Sequence, residues 1–147
     1  PSLVGSEMCI RDRDSPMQID RLDHLVLTVQ DMSATIDFYS QVLGMQAVTF
    51  GEGRNALVFG QQKINLHPAE CPIAPHAAHP VPGSADLCFI AQGDIHELLA
   101  HLQNCGVALE AGPVPRTGAA GPITSVYFRD PDGNLLEVSI YDSGIKR

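Results

Sequence analysis

The sequence predicts an α+β fold of two βαβββ modules that form a curled, largely antiparallel sheet cup. Two observations support this prediction: a repeat inside the chain, and the alternation of apolar and polar side chains along its predicted strands. The segments 22–45 and 84–107 both show the pattern of a short strand, a polar turn, a helix and a glycine. Gly44 and Gly106, which follow the two helices, lie 62 residues apart, and such a repeat indicates a duplicated unit.

Each predicted helix begins after an aspartate and ends before a glycine. Asp31 and Asp94 are suitable N-cap residues, and Gly44 and Gly106 suit the position just beyond the C-cap. Between these residues, apolar side chains recur at the spacing of one helix face. The apolar faces consist of Met32, Ile36, Tyr39 and Leu43 in the first helix, and of Ile95, Leu98, Leu99 and Leu102 in the second.

Three strands are expected after each helix. They are predicted at 46–50, 55–60 and 62–67 in the first half, and at 107–113, 123–129 and 134–141 in the second. The sequence DPDG at 130–133 predicts a tight turn, because Pro131 presets φ and Gly133 can adopt a positive φ. Residues 68–83 contain five prolines and are predicted to form a linker loop.

A single domain is expected over residues 17–143, with module one at about 19–67, the linker at 68–83 and module two at about 84–141. Residues 1–16 show no strand or helix period and are similar to translated sequencing-adapter sequence. We therefore expect a non-native or disordered leader, with Met17 as the native start, and a short tail at 144–147.

Composition argues against several classes of partner. The net charge of −8 disfavours nucleic acid and anionic membrane surfaces. The chain has no run of about 18 apolar residues, so no membrane-spanning helix is predicted. Its four cysteines form no C-x-x-C pair, which disfavours a zinc knuckle and is typical of a protein in a reducing compartment. A cytoplasmic protein that acts on a small molecule is expected.

The strands place candidate site residues on one face. Side chains alternate between faces along a strand, so the face opposite the aliphatic residues can be identified in each strand. Any one such polar residue alone is most simply a solvated strand position. Because the pattern recurs in four strands of a duplicated framework, we predict that these residues line one cup. They are His24, Asn65, His67, Asp86 and Glu137.

Three segments resemble the vicinal oxygen chelate superfamily, which contains glyoxalases, bleomycin-resistance proteins and dioxygenases. They are DHLVLTV at 23–29, DFY followed by VLGM within 37–45, and FRDPDGNLLEV at 128–138. The resemblance covers about residues 19–141. KINLH and PGSADLCFI are further similar to the subgroup called glyoxalase domain-containing protein 5.

The resemblance implies one divalent metal ion in the cup and a homodimer. Carried over residue by residue, its ligand positions are His24, Asn65, Asp86 and Glu137. Asn65 stands where glyoxalase I has a ligating glutamate, and His67, two residues further on the same face, could replace it. The metal ligands are therefore taken as His24, His67, Asp86 and Glu137, a nitrogen and oxygen set that suits Zn, Ni, Mn or Fe.

The function implied is that of a metal-dependent lyase or isomerase of glyoxalase type, acting on a small substrate with two neighbouring oxygens. The metal would stabilise an enediolate or oxyanion. Glu137 is the candidate catalytic base, because Asn65 cannot ionise. The alternatives are an Fe(II) extradiol-type dioxygenase and a non-catalytic drug- or metabolite-binding module like the bleomycin-resistance proteins. Transfer to fosfomycin is a further alternative, against which Asp86 counts because a histidine is expected there.

Other polar residues are expected to lie outside the metal site. His76 and His79 fall in the proline-rich linker and are predicted to be exposed. His96 and His101, on the second helix, are expected to face solvent or cover apolar surface. Arg116 and Thr117 are predicted on a mobile glycine-rich loop, which could close over a carboxylate or phosphate of a substrate.

Overall fold

The computed structural model describes residues 16–142, so the predicted leader, apart from Pro16, and the predicted tail lie outside the described residues. Its elements follow the order of two βαβββ modules. Module one contains β1 (His24–Val29), α1 (Met32–Gln41), β2 (Gln46–Phe50), β3 (Arg54–Phe59) and β4 (Gln62–Pro68). Module two contains β5 (Asp86–Ile90), α2 (Ile95–Asn104), β6 (Ala111–Gly118), β7 (Gly121–Arg129) and β8 (Leu135–Tyr141).

Each module forms one four-stranded sheet. Sheet one has the order β1-β4-β3-β2, and sheet two has the order β5-β8-β7-β6. In both, the first strand of the module pairs in parallel with the last, and the other two pairings are antiparallel. The predicted α+β class and the two βαβββ modules are therefore confirmed. No helix within residues 16–142 is long and apolar enough to cross a membrane.

The helix ends follow the local sequence signals. The Asp31 side chain accepts a hydrogen bond from the Ala34 amide at 3.0 Å. Asp94 and Glu97 form a reciprocal capping box, which satisfies two backbone N–H groups that a helix start leaves without partners. Gly44 and Gly106 have φ of 67° and 75°, so each adopts the left-handed conformation that favours glycine after a helix.

One apolar core joins the two modules. The aliphatic strand faces and the helices bury their side chains together, and this removal of apolar surface from water is the main stabilising contribution. The core takes residues from both sheets and from both helices. Its fully buried members include Tyr39, Leu57 and Ile64 of module one, and Leu102, Phe128 and Leu136 of module two.

The prediction was wrong for the strand after α2. The sequence predicts a strand at 107–113 and a mobile loop around Arg116, whereas β6 spans Ala111–Gly118 and contains both Arg116 and Thr117. Two prolines lie within β6, although proline cannot donate a ladder hydrogen bond. They are accommodated because β6 is the edge strand of sheet two, paired only with β7 among the described strands.

The turn between β7 and β8 is built around the buried carboxylate of Asp130. Its Oδ1 accepts hydrogen bonds from the backbone amides of Asp132 and Asn134, each at 2.9 Å. The Asn134 side-chain amide donates to Oδ2 at 2.8 Å. Gly133 has φ of 87°, as the DPDG sequence predicts. The turn thus sets the start of β8, the strand that carries Glu137.

Candidate functional site

His24 begins β1 and is the first of the predicted ligands. In the parallel pairing of β1 with β4 it lies opposite Lys63, so the two side chains share a face. Its Nδ1 lies 2.8 Å from Oδ2 of Asp23, and this hydrogen bond is the main cause of a lowered pKa at Asp23. With the Nδ1 proton directed to a carboxylate, the lone pair of Nε2 is available to a ligand.

Asn65 and His67 lie on the same face of β4 and are almost fully buried, with 6% and 5% of their surface exposed. Neither Oδ1 of Asn65 nor Nε2 of His67 has a hydrogen-bond partner. Burial lowers the pKa of His67, and the nearby Arg54 and His76 lower it further. His67 is therefore neutral at neutral pH, which is the form that binds a metal ion.

Glu137 lies in the middle of β8 and is held by a chain of hydroxyl groups. Ser125 Oγ donates to Glu137 Oε2 at 2.6 Å, and Ser139 Oγ lies 2.6 Å from Ser125 Oγ. Cys88 Sγ lies 3.4 Å from Ser139 Oγ, and burial raises the pKa of this thiol. The two serines are fully buried, so the carboxylate has a fixed position on its strand.

Asp86 starts β5 and is exposed. It lies opposite Leu135 at the start of β8. A hydrogen bond to Glu110 is the main cause of a raised pKa at Arg129, and the charge of Asp86 raises this pKa further. Since Arg129 already forms two hydrogen bonds to Glu110, at 2.8 and 2.9 Å, the Asp86 carboxylate remains free to bind a ligand.

The two sheets divide the predicted ligands between them. Sheet one holds His24 and His67, and sheet two holds Asp86 and Glu137. His24 lines a cavity of about 180 Å³ together with Lys63 and Cys88. Within residues 16–142, however, no three side chains of His, Cys, Asp or Glu come close enough to hold one metal ion. A single chain in this conformation thus does not bring the four together. In sheet one, for example, His24 lies opposite Lys63, whereas His67 lies opposite Thr28, four residues further along β1.

The linker folds back over part of sheet one. His76 and His79 are exposed, as predicted, yet they also line a cavity of about 210 Å³ whose wall includes His67 and Thr28. The proline-rich segment therefore forms one side of a cavity at the end of β1 and β4. The other two histidines lie on α2, where His101 Nε2 is 2.7 Å from the carbonyl oxygen of Val42.

Two further groups of charged and aromatic residues lie on the strands of the candidate site. Of their members, only Arg116 had been considered from the sequence, as a residue of a mobile loop. Arg54, at the start of β3, and Lys63 both lie over the ring of Phe50, with Cζ at 5.1 Å and Nζ at 4.2 Å from its centre. On sheet two, Arg116 Nε donates to the Tyr127 hydroxyl at 2.9 Å. The alternation of Arg54 with Ala56 and Val58 was the signal that could have placed Arg54 in a strand.

We therefore define two surfaces by the faces opposite the core. The polar face of sheet one consists of His24, Phe50, Arg54, Lys63, Asn65 and His67. The polar face of sheet two includes Asp86, Cys88, Arg116, Ser125, Tyr127, Arg129, Glu137 and Ser139.

Comparison with known proteins gives close relatives over most of the chain. The virulence protein STM3117 of Salmonella typhimurium is 57% identical over 125 residues, which are 85% of this chain and 87% of that protein. Its crystal structure superposes with a TM-score of 0.83 and covers 85% of this chain and 99% of that one. The glyoxalase domain-containing protein RDO1 of Mycosarcoma maydis is 50% identical over 141 residues, or 96% of this chain and 80% of that protein.

A more distant relative has a stated enzymatic activity. Biphenyl-2,3-diol 1,2-dioxygenase 3 of Rhodococcus globerulus is 30% identical over 130 residues, covering 82% of this chain and 63% of the dioxygenase. The sequence profile of the glyoxalase/bleomycin resistance protein/dioxygenase superfamily matches residues 21–138. Members of that superfamily include glyoxalases and extradiol dioxygenases, and they usually bind a divalent metal. This chain belongs to the glyoxalase/bleomycin resistance protein/dioxygenase superfamily.

Proposed function

We propose that this protein is a divalent-metal-dependent lyase or isomerase of glyoxalase type that acts on a small substrate with two neighbouring oxygens. The observation that supports this most directly is the pair of prepared donors at His24 and Glu137. His24 has its Nδ1 hydrogen-bonded to Asp23, and Glu137 has Oε2 hydrogen-bonded to Ser125. Such outer partners are what orient metal-binding imidazoles and carboxylates.

The remaining donors fit a metal ion as well. Nε2 of His67 is buried without a partner, and leaving a buried polar atom without a hydrogen bond costs free energy unless a ligand satisfies it. Asp86 adds a free carboxylate. With His24, His67, Asp86 and Glu137 the site contains nitrogen and oxygen donors and no thiolate, which suits Zn, Ni, Mn or Fe. When bound, such a metal supplies Lewis-acid stabilisation of negative charge that develops on substrate oxygens.

Glu137 is the proposed catalytic base. Its Oε2 accepts from Ser125, which leaves Oε1 to take a proton from a substrate carbon next to the two oxygens. The hydroxyls of Ser125 and Ser139 hold the carboxylate in one orientation, so that its position does not change when the proton moves. Asn65, at the matching place on sheet one, has no ionisable group and positions substrate or metal instead.

We further propose that two copies of the chain complete the site. The four ligands do not converge within one chain, and the strands that carry His24 and Asp86 are both terminal strands of their sheets. Val26 on β1 and Ile90 on β5 share the faces of these ligands and are 45% and 38% exposed, a high exposure for large apolar side chains. A two-fold dimer would cover them and bring sheet one of each chain to sheet two of the other.

An Fe(II) extradiol-type dioxygenase is the second candidate. It is supported by the relation to the biphenyl-2,3-diol dioxygenase and by the presence of two histidines and a carboxylate among the proposed ligands. A non-catalytic module that binds a drug or metabolite is the third, and it requires no metal at these residues.

The first experiment is elemental analysis of the purified protein, followed by thermal denaturation with Zn, Ni, Mn, Fe(II) and Co added in turn. We expect stabilisation by at least one metal, lost in His24→Ala and in Glu137→Gln and retained in His96→Ala, since His96 lies exposed on α2. If none of the metals stabilised the protein, the proposal that it is a metalloenzyme would be refuted.

The metal-loaded protein is then assayed with the hemithioacetal of methylglyoxal and glutathione. A second assay uses 2,3-dihydroxybiphenyl while oxygen consumption is measured. Oxygen consumption with the diol would favour the dioxygenase.

A further inference from the structure

We infer that the polar face of sheet one binds an anionic group of the substrate, a carboxylate or a phosphate, through Arg54 and Lys63. The inference rests on the proposed function, because it names the class of substrate for the same site. It is supported by three independent features of the described residues: where the cations lie, how two of them are arranged, and which buried polar atoms have no partner.

The cations are distributed unevenly for a chain with a net charge of −8. Within residues 16–142, two arginines are paired: Arg21 with Asp20, and Arg129 with Glu110. The other lysine and arginine side chains in this range form no ion pair with a described carboxylate. They are Arg54, Lys63 and Arg116, and all three lie on the polar faces of the two sheets.

Arg54 and Lys63 both contact the same aromatic side chain. They come from different strands, β3 and β4, and both contact the ring of Phe50 on β2. Both side chains are half-buried, so water screens their charges less than it does on an open surface. Like charges near one ring repel each other, and an anion that binds to both is attracted by each.

The buried atoms without partners point to the same face. Five buried side-chain atoms in the described residues lack a hydrogen bond, and three of them are Arg54 Nε, Asn65 Oδ1 and His67 Nε2. In the antiparallel pairing of β3 with β4, Ala56 lies opposite Asn65 and Asn55 lies opposite Leu66. Arg54 precedes Asn55 in β3, and it therefore lies beside His67. An unpaired guanidinium N–H is a strong donor whose best acceptor is a carboxylate or phosphate oxygen.

The carboxylates of the site are placed where they cannot neutralise this pair. Asp86 and Glu137 belong to sheet two, and Oε2 of Glu137 is already bound to Ser125. The strands of sheet one carry no carboxylate on this face among their described residues. Asp23, which precedes β1, is hydrogen-bonded to His24, and the charge of Lys63 makes only a minor contribution to its lowered pKa. An anionic ligand therefore meets two cations there that form no ion pair with a described carboxylate.

The test uses metal-stripped protein, so that anion binding is measured apart from the metal. Isothermal titration at constant ionic strength would compare inorganic phosphate, benzoate and the neutral benzamide. We expect phosphate or benzoate to bind and benzamide to bind at least tenfold more weakly. Arg54→Gln and Lys63→Gln should each weaken anion binding about ten- to a hundredfold, the usual effect of losing a hydrogen bond to a charged group.

Arg21→Gln is the matched control, because it removes the same charge from an exposed arginine that is already paired with Asp20. It should bind anions as the unchanged protein does. Equal weakening by Arg21→Gln and Arg54→Gln, or binding of benzamide as tight as that of benzoate, would overturn the inference. If Arg54→Gln fails to fold by circular dichroism, Lys63→Gln alone decides. Anion binding without any metal binding would preserve this inference and refute the proposed function. Metal binding without any anion binding would preserve the proposed function and refute this inference.

Discussion

The hydroxyl of Tyr39 on α1 donates a hydrogen bond of 2.6 Å to Oδ2 of Asp130, in the turn before β8. The two residues are 91 positions apart and belong to different modules. Both are buried, and the phenol ring is fully enclosed. This bond joins the helix of module one to the turn that sets the start of the Glu137 strand, so it couples the packing of the modules to the site.

Tyr39→Phe should lower the free energy of unfolding by about 2 kcal/mol, since a hydrogen bond to a buried charged group is removed without changing the packing of the ring. Urea denaturation followed by circular dichroism measures the change. Tyr141→Phe is the matched control: its hydroxyl accepts only from the Ala120 amide, near the surface, and a loss below about 1 kcal/mol is expected. Equal losses in the two variants would contradict the role assigned to Asp130.

The same pair predicts an alkaline limit to stability. Burial and the hydrogen bond to Asp130 raise the pKa of Tyr39 far above its ordinary value of 10.0. Above pH 10 the tyrosine ionises in the unfolded chain but stays neutral in the folded one, so the unfolded state is favoured as pH rises. Urea midpoints measured between pH 8 and pH 11 should fall more steeply in the unchanged protein than in Tyr39→Phe. Parallel curves would show that Tyr39 does not contribute.

Ser125→Ala tests the orientation of Glu137. The change removes the 2.6 Å hydrogen bond to Oε2 and frees the carboxylate to rotate, so metal affinity should fall ten- to a hundredfold, the typical effect of losing such a partner. Competition with a fluorescent chelator measures the affinity. Ser84→Ala, which removes a hydroxyl bonded to the Val81 carbonyl in the linker, serves as control and should leave it unchanged. An unaltered affinity in Ser125→Ala would mean that Ser125 does not position Glu137 for the metal.

Mixed dimers test whether two chains share the site. His24→Ala and Glu137→Gln chains would be co-expressed with different tags, and the dimer bearing both tags purified. If each site combines sheet one of one chain with sheet two of the other, one of the two sites in that dimer is intact, and it should bind about half as much metal as the unchanged dimer. If each site were instead built within one chain, both sites of the mixed dimer would be defective, and no metal would bind.

The sequence was most informative where structure depends on neighbours in the chain. Asp31, Asp94 and Gly133 act within a few residues, and each behaves as its local sequence predicts. The strand faces were also predictable, because alternation depends only on the strand itself. The placement of Glu137 opposite the core follows from this rule alone.

Features that depend on strand register could not be predicted from local sequence patterns. Ser125 meets Glu137 because β7 and β8 pair with Tyr127 opposite Glu137 and Ser125 opposite Ser139, a relation that no local pattern encodes. Arg54 was overlooked because it follows a glycine-rich turn, and its importance emerges only from its contact with Phe50. The edge position of β6, which accommodates its two prolines, likewise depends on strand pairing.

The two modules share a fold but differ in the charges at the site: the two cations that contact Phe50 belong to module one, and the carboxylates of Asp86 and Glu137 belong to module two. A cup with the same groups on both sides would accept a substrate in either of two opposed orientations. Under the proposed function, the divergence leaves one orientation, with the anionic end toward sheet one and a single prochiral face toward Glu137. The duplication would thereby yield an enzyme that forms one enantiomer of its product.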